Sequence, residues 1–261
     1  MDPAYGLLLV KMATASGIIV GCSLLAERAG PLVAGLIASF PISMGPVLVF
    51  LAMDHDSAFI AGSALGVMTA TLVHSILITV YVLLAQKHGT LVSLGTGLAV
   101  WCCVLAVLRS LNLSVIPVAI LTVVFYTACY LITRPYLRAR PRTPPPVPWF
   151  AIPLRAACVA VLAGTVTLLS QTLGPMLSGI MAGLPIVLSS LIVILQPRIG
   201  GPATAAIIAY AALGMAGVGI ALGVTHLLAV PLGSWTALGI GLLLCMGWSL
   251  LLARLARRPA P

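Results

Sequence analysis

The residues of this chain that could do chemistry fall into two matching sets. Pro41 lies in an apolar stretch with Ser39 and Ser43 around it, and Pro185 lies in another with Gly183, Ser189 and Ser190. Each proline comes ten residues after a Gly-Pro pair, Gly30-Pro31 or Gly174-Pro175. Ten helical residues rise about 15 Å, roughly half a bilayer. A proline at that depth removes a backbone hydrogen bond and clashes with the preceding turn. Small and hydroxylated neighbours then favour a broken helix over a simple kink. Its second half would aim free N–H groups and a positive dipole end at the membrane's centre, where an anionic group is favoured. A cation precedes each Gly-Pro by 19 residues: Lys11 and Arg155. Facing inward, the two would flank a central cavity and attract a carboxylate or phosphate. His74 is the one ionisable side chain deep within a predicted span, with Thr69, Thr71 and Ser75 near it. Its imidazole is the candidate for coupling a proton.

Other chemistries lack their residues. No Asp or Glu falls mid-span, which argues against a carboxylate sodium site or proton relay. Asp54-His55-Asp56 has the look of a metal triplet but reads as a solvated outer loop. No metal site, cofactor or enzymatic motif is expected: the chain holds no His-Glu-x-x-His, Gly-x-Ser-x-Gly or Walker lysine. The six cysteines lie in apolar runs and read as packing residues. Tyr210, Gln171 and Gln196 are further hydrogen-bonding candidates.

The elements that must hold these residues follow from composition. Of 261 residues, 61% are hydrophobic and 7% charged, and the mean hydropathy is +1.21. Soluble domains carry roughly a quarter charged residues, so the expected fold is an all-α polytopic membrane protein. Nine spans are predicted, near 6–27, 31–53, 58–86, 90–109, 113–133, 149–172, 175–196, 202–226 and 233–254, with the softest boundary between His226 and Gly233. Residues 134–148 form an Arg- and Pro-rich linker between a five-span unit (1–133) and a four-span unit (149–261). The net charge of +9 reports topology rather than nucleic acid, because Lys and Arg collect in cytoplasmic loops. With the linker inside, Arg28, Lys87, Arg198, Arg254, Arg257 and Arg258 also fall inside. Lys11, Arg109, Asp54 and Asp56 fall outside. That gives an N-terminus outside and a C-terminus inside a bacterial inner membrane, with no cleavable leader expected.

Residues 11–53 match 155–197 without gaps, at a constant offset of 144. Leu24-Leu25, Gly30-Pro31, Gly35, Ala38 and Pro41-Ile42 recur as Leu168-Leu169, Gly174-Pro175, Gly179, Ala182 and Pro185-Ile186. In the predicted topology the two copies start on opposite sides of the membrane, the inverted repeat of many secondary transporters. The phrase Gly-Pro-x-x-x-Gly-x-x-Ala-x-Phe-Pro at 30–41 resembles the core of small GlpM-like bacterial membrane proteins. That resemblance covers a dozen residues per copy and implies a fused duplication of such a unit. It implies no substrate, and the second copy departs from it with Leu184 in place of Phe40.

The expectation is therefore a secondary transporter of a small organic anion, working by alternating access at a midplane site between broken spans two and seven. Its partners would be that solute and the lipid bilayer, and Gly-rich spans eight and nine offer a homodimer face. The alternatives are a non-transporting subunit or assembly factor of an envelope complex, and a flippase for an anionic lipid.

Overall fold

The computed structural model describes residues 3–28, 44–139 and 150–256. In chain order the helices are α1 (Pro3–Arg28), α2 (Met44–Asp54), α3 (Ser57–Leu84), α4 (Thr90–Ser110), α5 (Val115–Thr133), α6 (Ala151–Ala182), α7 (Ile186–Ile199), α8 (Gly201–Leu232) and α9 (Ser234–Ala256). A 3-10 turn, Arg134–Ala139, follows α5. No strand occurs among the described residues. Six helical stretches are long and apolar enough to cross a membrane, and Leu9–Gly21 and Met44–Asp54 are shorter apolar helices. This is the make-up of an integral membrane protein.

The crossing helices have similar hydropathies but very different surroundings. In α3, 72% of the most apolar window is buried, against 22% in α5 and α9. Its polar residues mark that position. Ser63, Thr69, Thr71, His74 and Ser75 are all buried, and the hydroxyls of Thr69 and Ser75 donate to Leu65 O and Leu72 O of their own helix. A hydroxyl satisfied in this way can sit against neighbouring helices instead of lipid. α3 is thus the axis around which the others pack.

The Gly-Pro pair at 174–175 is a reversal inside α6. Gly174 has φ 74° and ψ 175°, a conformation that a side chain would make costly. Before it, the chain runs past α1, with Ser16 Oγ 3.3 Å from Ala156 O, and reaches the start of α3, where Ser170 Oγ meets His55 Nε2 at 2.8 Å. After it, the chain runs parallel to α3. Pro175 O accepts from Ser63 Oγ, Gly183 lies against Ala70, and Gln196 Oε1 accepts from Tyr81 at 3.0 Å. The approach is closest at Gly179, where a Cβ would land on the Ser63 carbonyl.

One boundary and two sets of side chains differ from expectation in an instructive way. α8 continues through His226 to Leu232, and the His226 Nδ1 lies 2.8 Å from Ala61 O of α3. The chain turns instead at Gly233, with φ 84°. In the triplet Asp54-His55-Asp56 both acids are exposed, as expected of a solvated turn, but every side chain has a partner. Asp54 pairs with Lys11, His55 stacks on Phe59 with centroids 3.7 Å apart, and Asp56 caps α3 by accepting from Phe59 N–H at 2.8 Å. Among the described cysteines, Cys129 and Cys245 pack inside as expected, whereas Cys102 and Cys103 are exposed.

Candidate functional site

Of the two proline breaks, the second lies within the described residues. α6 ends at Ala182, Gly183-Leu184-Pro185 are not helical, and α7 begins at Ile186. The end of α6 is satisfied locally: Gly183 N–H donates to Gly179 O and Ile180 O, and Leu184 N–H to Met181 O. The start of α7 is not capped by a side chain, and its cap position is Pro185 itself. Leading backbone donors of a helix have no partner within it; Ile186 N–H donates to Leu184 O at 2.8 Å, which leaves Val187 and Leu188 as the leading amides of α7 at the break. Gly183 and Pro185 are buried, and Ser189 and Ser190 are half-buried in that turn. Ser190 donates its hydroxyl proton to Val187 O at 2.8 Å, which leaves it an acceptor toward anything else.

Ser39, Pro41 and Ser43 lie outside the described residues. The helix that follows them, α2, is 11 residues long, about 16 Å at 1.5 Å per residue. Its first residue, Met44, is the thioether partner of Thr71 Oγ1 at 3.9 Å. Its last, Asp54, leads into the start of α3. α2 therefore runs from the middle of α3 back to its beginning. α7 starts beside Ala70, the neighbour of Thr71, and runs the other way, toward Tyr81. The described part of α2 and the start of α7 thus lie at one depth, the midpoint of α3, and the two run from it in opposite directions.

His74 lies one turn beyond Ala70 on the same face of α3, the i, i+4 relation. It is fully buried, and neither ring nitrogen has a hydrogen-bond partner. The Trp101 indole of α4 lies beside it, centroids 5.9 Å apart, and its Nε1 is also buried without a partner. Unsatisfied buried polar groups cost about 1–3 kcal/mol each, so two side by side in an otherwise satisfied helix interface are a notable concentration. The Tyr126 hydroxyl of α5 donates to Thr71 O at 2.8 Å nearby.

The paired cations part company. Lys11 is 4% exposed, and its Nζ lies 2.6 and 2.5 Å from the two carboxylate oxygens of Asp54. Its charge is committed to closing α1 against the end of α2. Arg155, near the start of α6, is half-buried, and its Nε is buried without a partner. Of the remaining candidates, Gln196 bridges Tyr81 to His88 O at 3.1 Å, Gln171 is exposed and Tyr210 is 41% exposed.

Sequence reasoning passed over three things: the Lys11–Asp54 pair, Trp101 beside His74, and an apolar groove among α1, α2, α8 and α9. The first had a signal, since a cation inside one span and an acid at the end of the next can meet on one side of the membrane. The other two depend on which helices become neighbours. The chain matches no known protein family, no curated protein and no solved structure.

Proposed function

We propose that the protein is a secondary transporter, moving a small organic anion by alternating access at a midplane site between two broken helices. The observation that supports this is the common depth of Met44, the first described residue of α2, and of the break before α7, at Thr71 and Ala70 of α3, with the helices diverging from it. Both positive dipole ends then act on one region, and backbone irregularity at that depth is tolerated beside a polar cavity or protein. The opposite directions of α2 and α7 support an inverted duplication of 11–53 and 155–197, within nine spans once 31–53 is counted as a broken one.

Orientation follows from charge. The exposed cations Lys87, Arg134, Arg198 and Arg254 gather at the Ala85 end of the bundle. At the other end Arg109 is exposed and Lys11 is neutralised by Asp54. The positive-inside rule assigns the Ala85 end to the cytoplasm of a bacterial cell. The Lys11–Asp54, His55–Ser170 and Ser57–Ser234 contacts then tie the outer end shut, and Tyr81–Gln196–His88 ties the inner end. Alternating access requires these ties to release in turn. His74 is assigned the coupling proton.

Purified protein in liposomes, offered a panel of labelled carboxylates and phosphates under an imposed pH gradient, tests this. Uptake of at least one solute is expected, with accumulation that follows the gradient. His74→Gln should retain solute binding and lose the gradient dependence. Absence of uptake across the panel, with His74→Gln indistinguishable from the parent in solute binding and in every flux, would sink the reading.

A further inference from the structure

Among the described residues five buried side-chain nitrogen or oxygen atoms lack a hydrogen-bond partner, and three of them belong to His74 and Trp101. His74 is 0% exposed and Trp101 3%, and their rings lie 5.9 Å apart, tilted by 32°. Trp101 shares a buried cluster with Leu188 and Ile192 in the first two turns of α7. His74 is one turn from Ala70, which meets Gly183 at the end of α6. The pair therefore stands beside the described break. An indole N–H can only donate, and an imidazole offers at least one N–H. Two neighbouring donors thus face no acceptor from the chain.

The chain supplies no charge at this depth either. Its four side-chain carboxylates are Asp2, Glu27, Asp54 and Asp56. Asp54 is paired with Lys11 and Asp56 caps the start of α3, while Asp2 and Glu27 fall at the two ends of α1. Of the elements around His74, α5 brings Tyr126 and Cys129, and α8 brings Tyr210, which is 41% exposed. α6 and α7 bring no ionisable side chain between Gly174 and Gln196. The thiols of α4, Cys102 and Cys103, are exposed. A proton on His74 would have no counter-charge here, and a bound anion would have none without that proton. Either charge alone is costly away from water, and the two together cancel.

We propose that His74 and Trp101 are the recognition pair for a monocarboxylate, which accepts from the Trp101 Nε1–H and a His74 N–H and binds together with one proton on the imidazole. The inference rests on the transporter reading and narrows its solute from any small organic anion to a singly charged one, moved electroneutrally. A carboxylate has two oxygens for the two donors, and one carboxylate with one proton leaves no net charge. A phosphate monoester carries about 1.5 to 2 charges at neutral pH, and both groups of a dicarboxylate are ionised there. Each would leave charge that nothing at this depth offsets.

The test uses the full chain in lipid nanodiscs with nitrogen-15 in its tryptophan indoles, and four probes: lactate, benzoate, succinate and methyl phosphate. The chain has four tryptophans, and Trp101→Phe identifies the indole signal concerned. Lactate or benzoate is expected to shift that signal, with about one proton taken up per anion bound. Succinate and methyl phosphate should bind at least about tenfold more weakly. Trp101→Phe should weaken monocarboxylate binding about tenfold or more. His74→Gln keeps an N–H donor and should bind without taking up a proton. In liposomes, uptake by the parent protein should follow the pH gradient and ignore an imposed membrane potential. The proton count and the indifference to potential need no variant, so they stand as tests if Trp101→Phe does not fold. No shift of the Trp101 signal by any probe, binding without proton uptake, or succinate or methyl phosphate bound as tightly as the monocarboxylates overturns the proposal. So does uptake that responds to potential and is untouched by Trp101→Phe, an outcome that leaves the transporter reading standing. Binding at Trp101 with one proton, and no flux of any probe, supports the pair and removes the transporter reading instead.

Discussion

Lys11 and Arg155 occupy the same place in the two matching stretches of sequence, yet among the described residues only Lys11 is paired with a carboxylate. The reason is visible one residue past the match. At the offset of 144, Asp54 corresponds to Arg198. The first stretch ends in an acid that swings α2 against α1 and closes an ion pair. The second ends in another base, and the Arg155 Nε stays buried without a partner. The two stretches match in sequence, and the residue one place past the match differs, an acid in one and a base in the other. The latched side is the one assigned to the outside, and the guanidinium not so latched belongs to the unit that contains the visible break.

The comparison can be broken or sharpened in several ways. The largest effect is expected from the backbone contact that seats the second unit on α3. Gly179→Val drives a side chain into the Ser63 carbonyl, and a loss above about 4 kcal/mol, read as failure to recover monodisperse protein, is expected. Gly247→Ala, on α9 where nothing lies within 4 Å, should leave the melting temperature unchanged or slightly raised. Next is the latch. Lys11→Ala leaves a partly buried Asp54 carboxylate alone and should cost about 2 kcal/mol, between the values for exposed and buried pairs. Asp54→Ala added to it should restore part of that loss, and a thermal-melt double-mutant cycle reads the coupling. Additive losses would mean that the pair contributes nothing.

His74→Leu should stabilise, by about 1 kcal/mol, because it removes two buried unsatisfied nitrogens and keeps the volume apolar. The same variant should be inactive in transport, and a destabilised but active variant would remove His74 from the site. The smallest effect concerns the unlatched unit. Arg155→Gln should shift stability by less than about 0.5 kcal/mol. Should the correspondence extend to geometry, Arg198→Asp gives Arg155 the carboxylate that Lys11 enjoys, with a coupling of about 0.5 kcal/mol in a cycle with Arg155→Gln. Zero coupling would confine the resemblance of the two units to their helices.

Much of the fold was legible because membrane helices obey local rules. Gly174 was readable as a boundary, since glycine followed by proline turns a chain cheaply and forbids a helix behind it. The break at Gly183 and Pro185 was readable for the same reason. α3 was recognisable as overlong, and its 28 residues come with the deepest burial in the bundle. The boundary near His226 was misread because a histidine looks interfacial until a carbonyl from another helix is supplied to it. The acids of the Asp54 triplet are exposed as read, and only the Lys11 partner of Asp54 depended on another helix.

Hydropathy and proline placement were enough to fix an all-helical membrane chain and the position of the second break, because each depends on residues within a few turns of one another. Tertiary structure alone decided that Met44 and Gly183 lie at one depth of α3, that Lys11 is spent on Asp54, that Trp101 stands beside His74, and that an apolar trough opens between α1 and α9. Those outcomes depend on which of several equally apolar helices pack together. In a bilayer that choice is made by small-residue contacts such as Gly179 on Ser63 and by a few polar pairs, not by hydropathy.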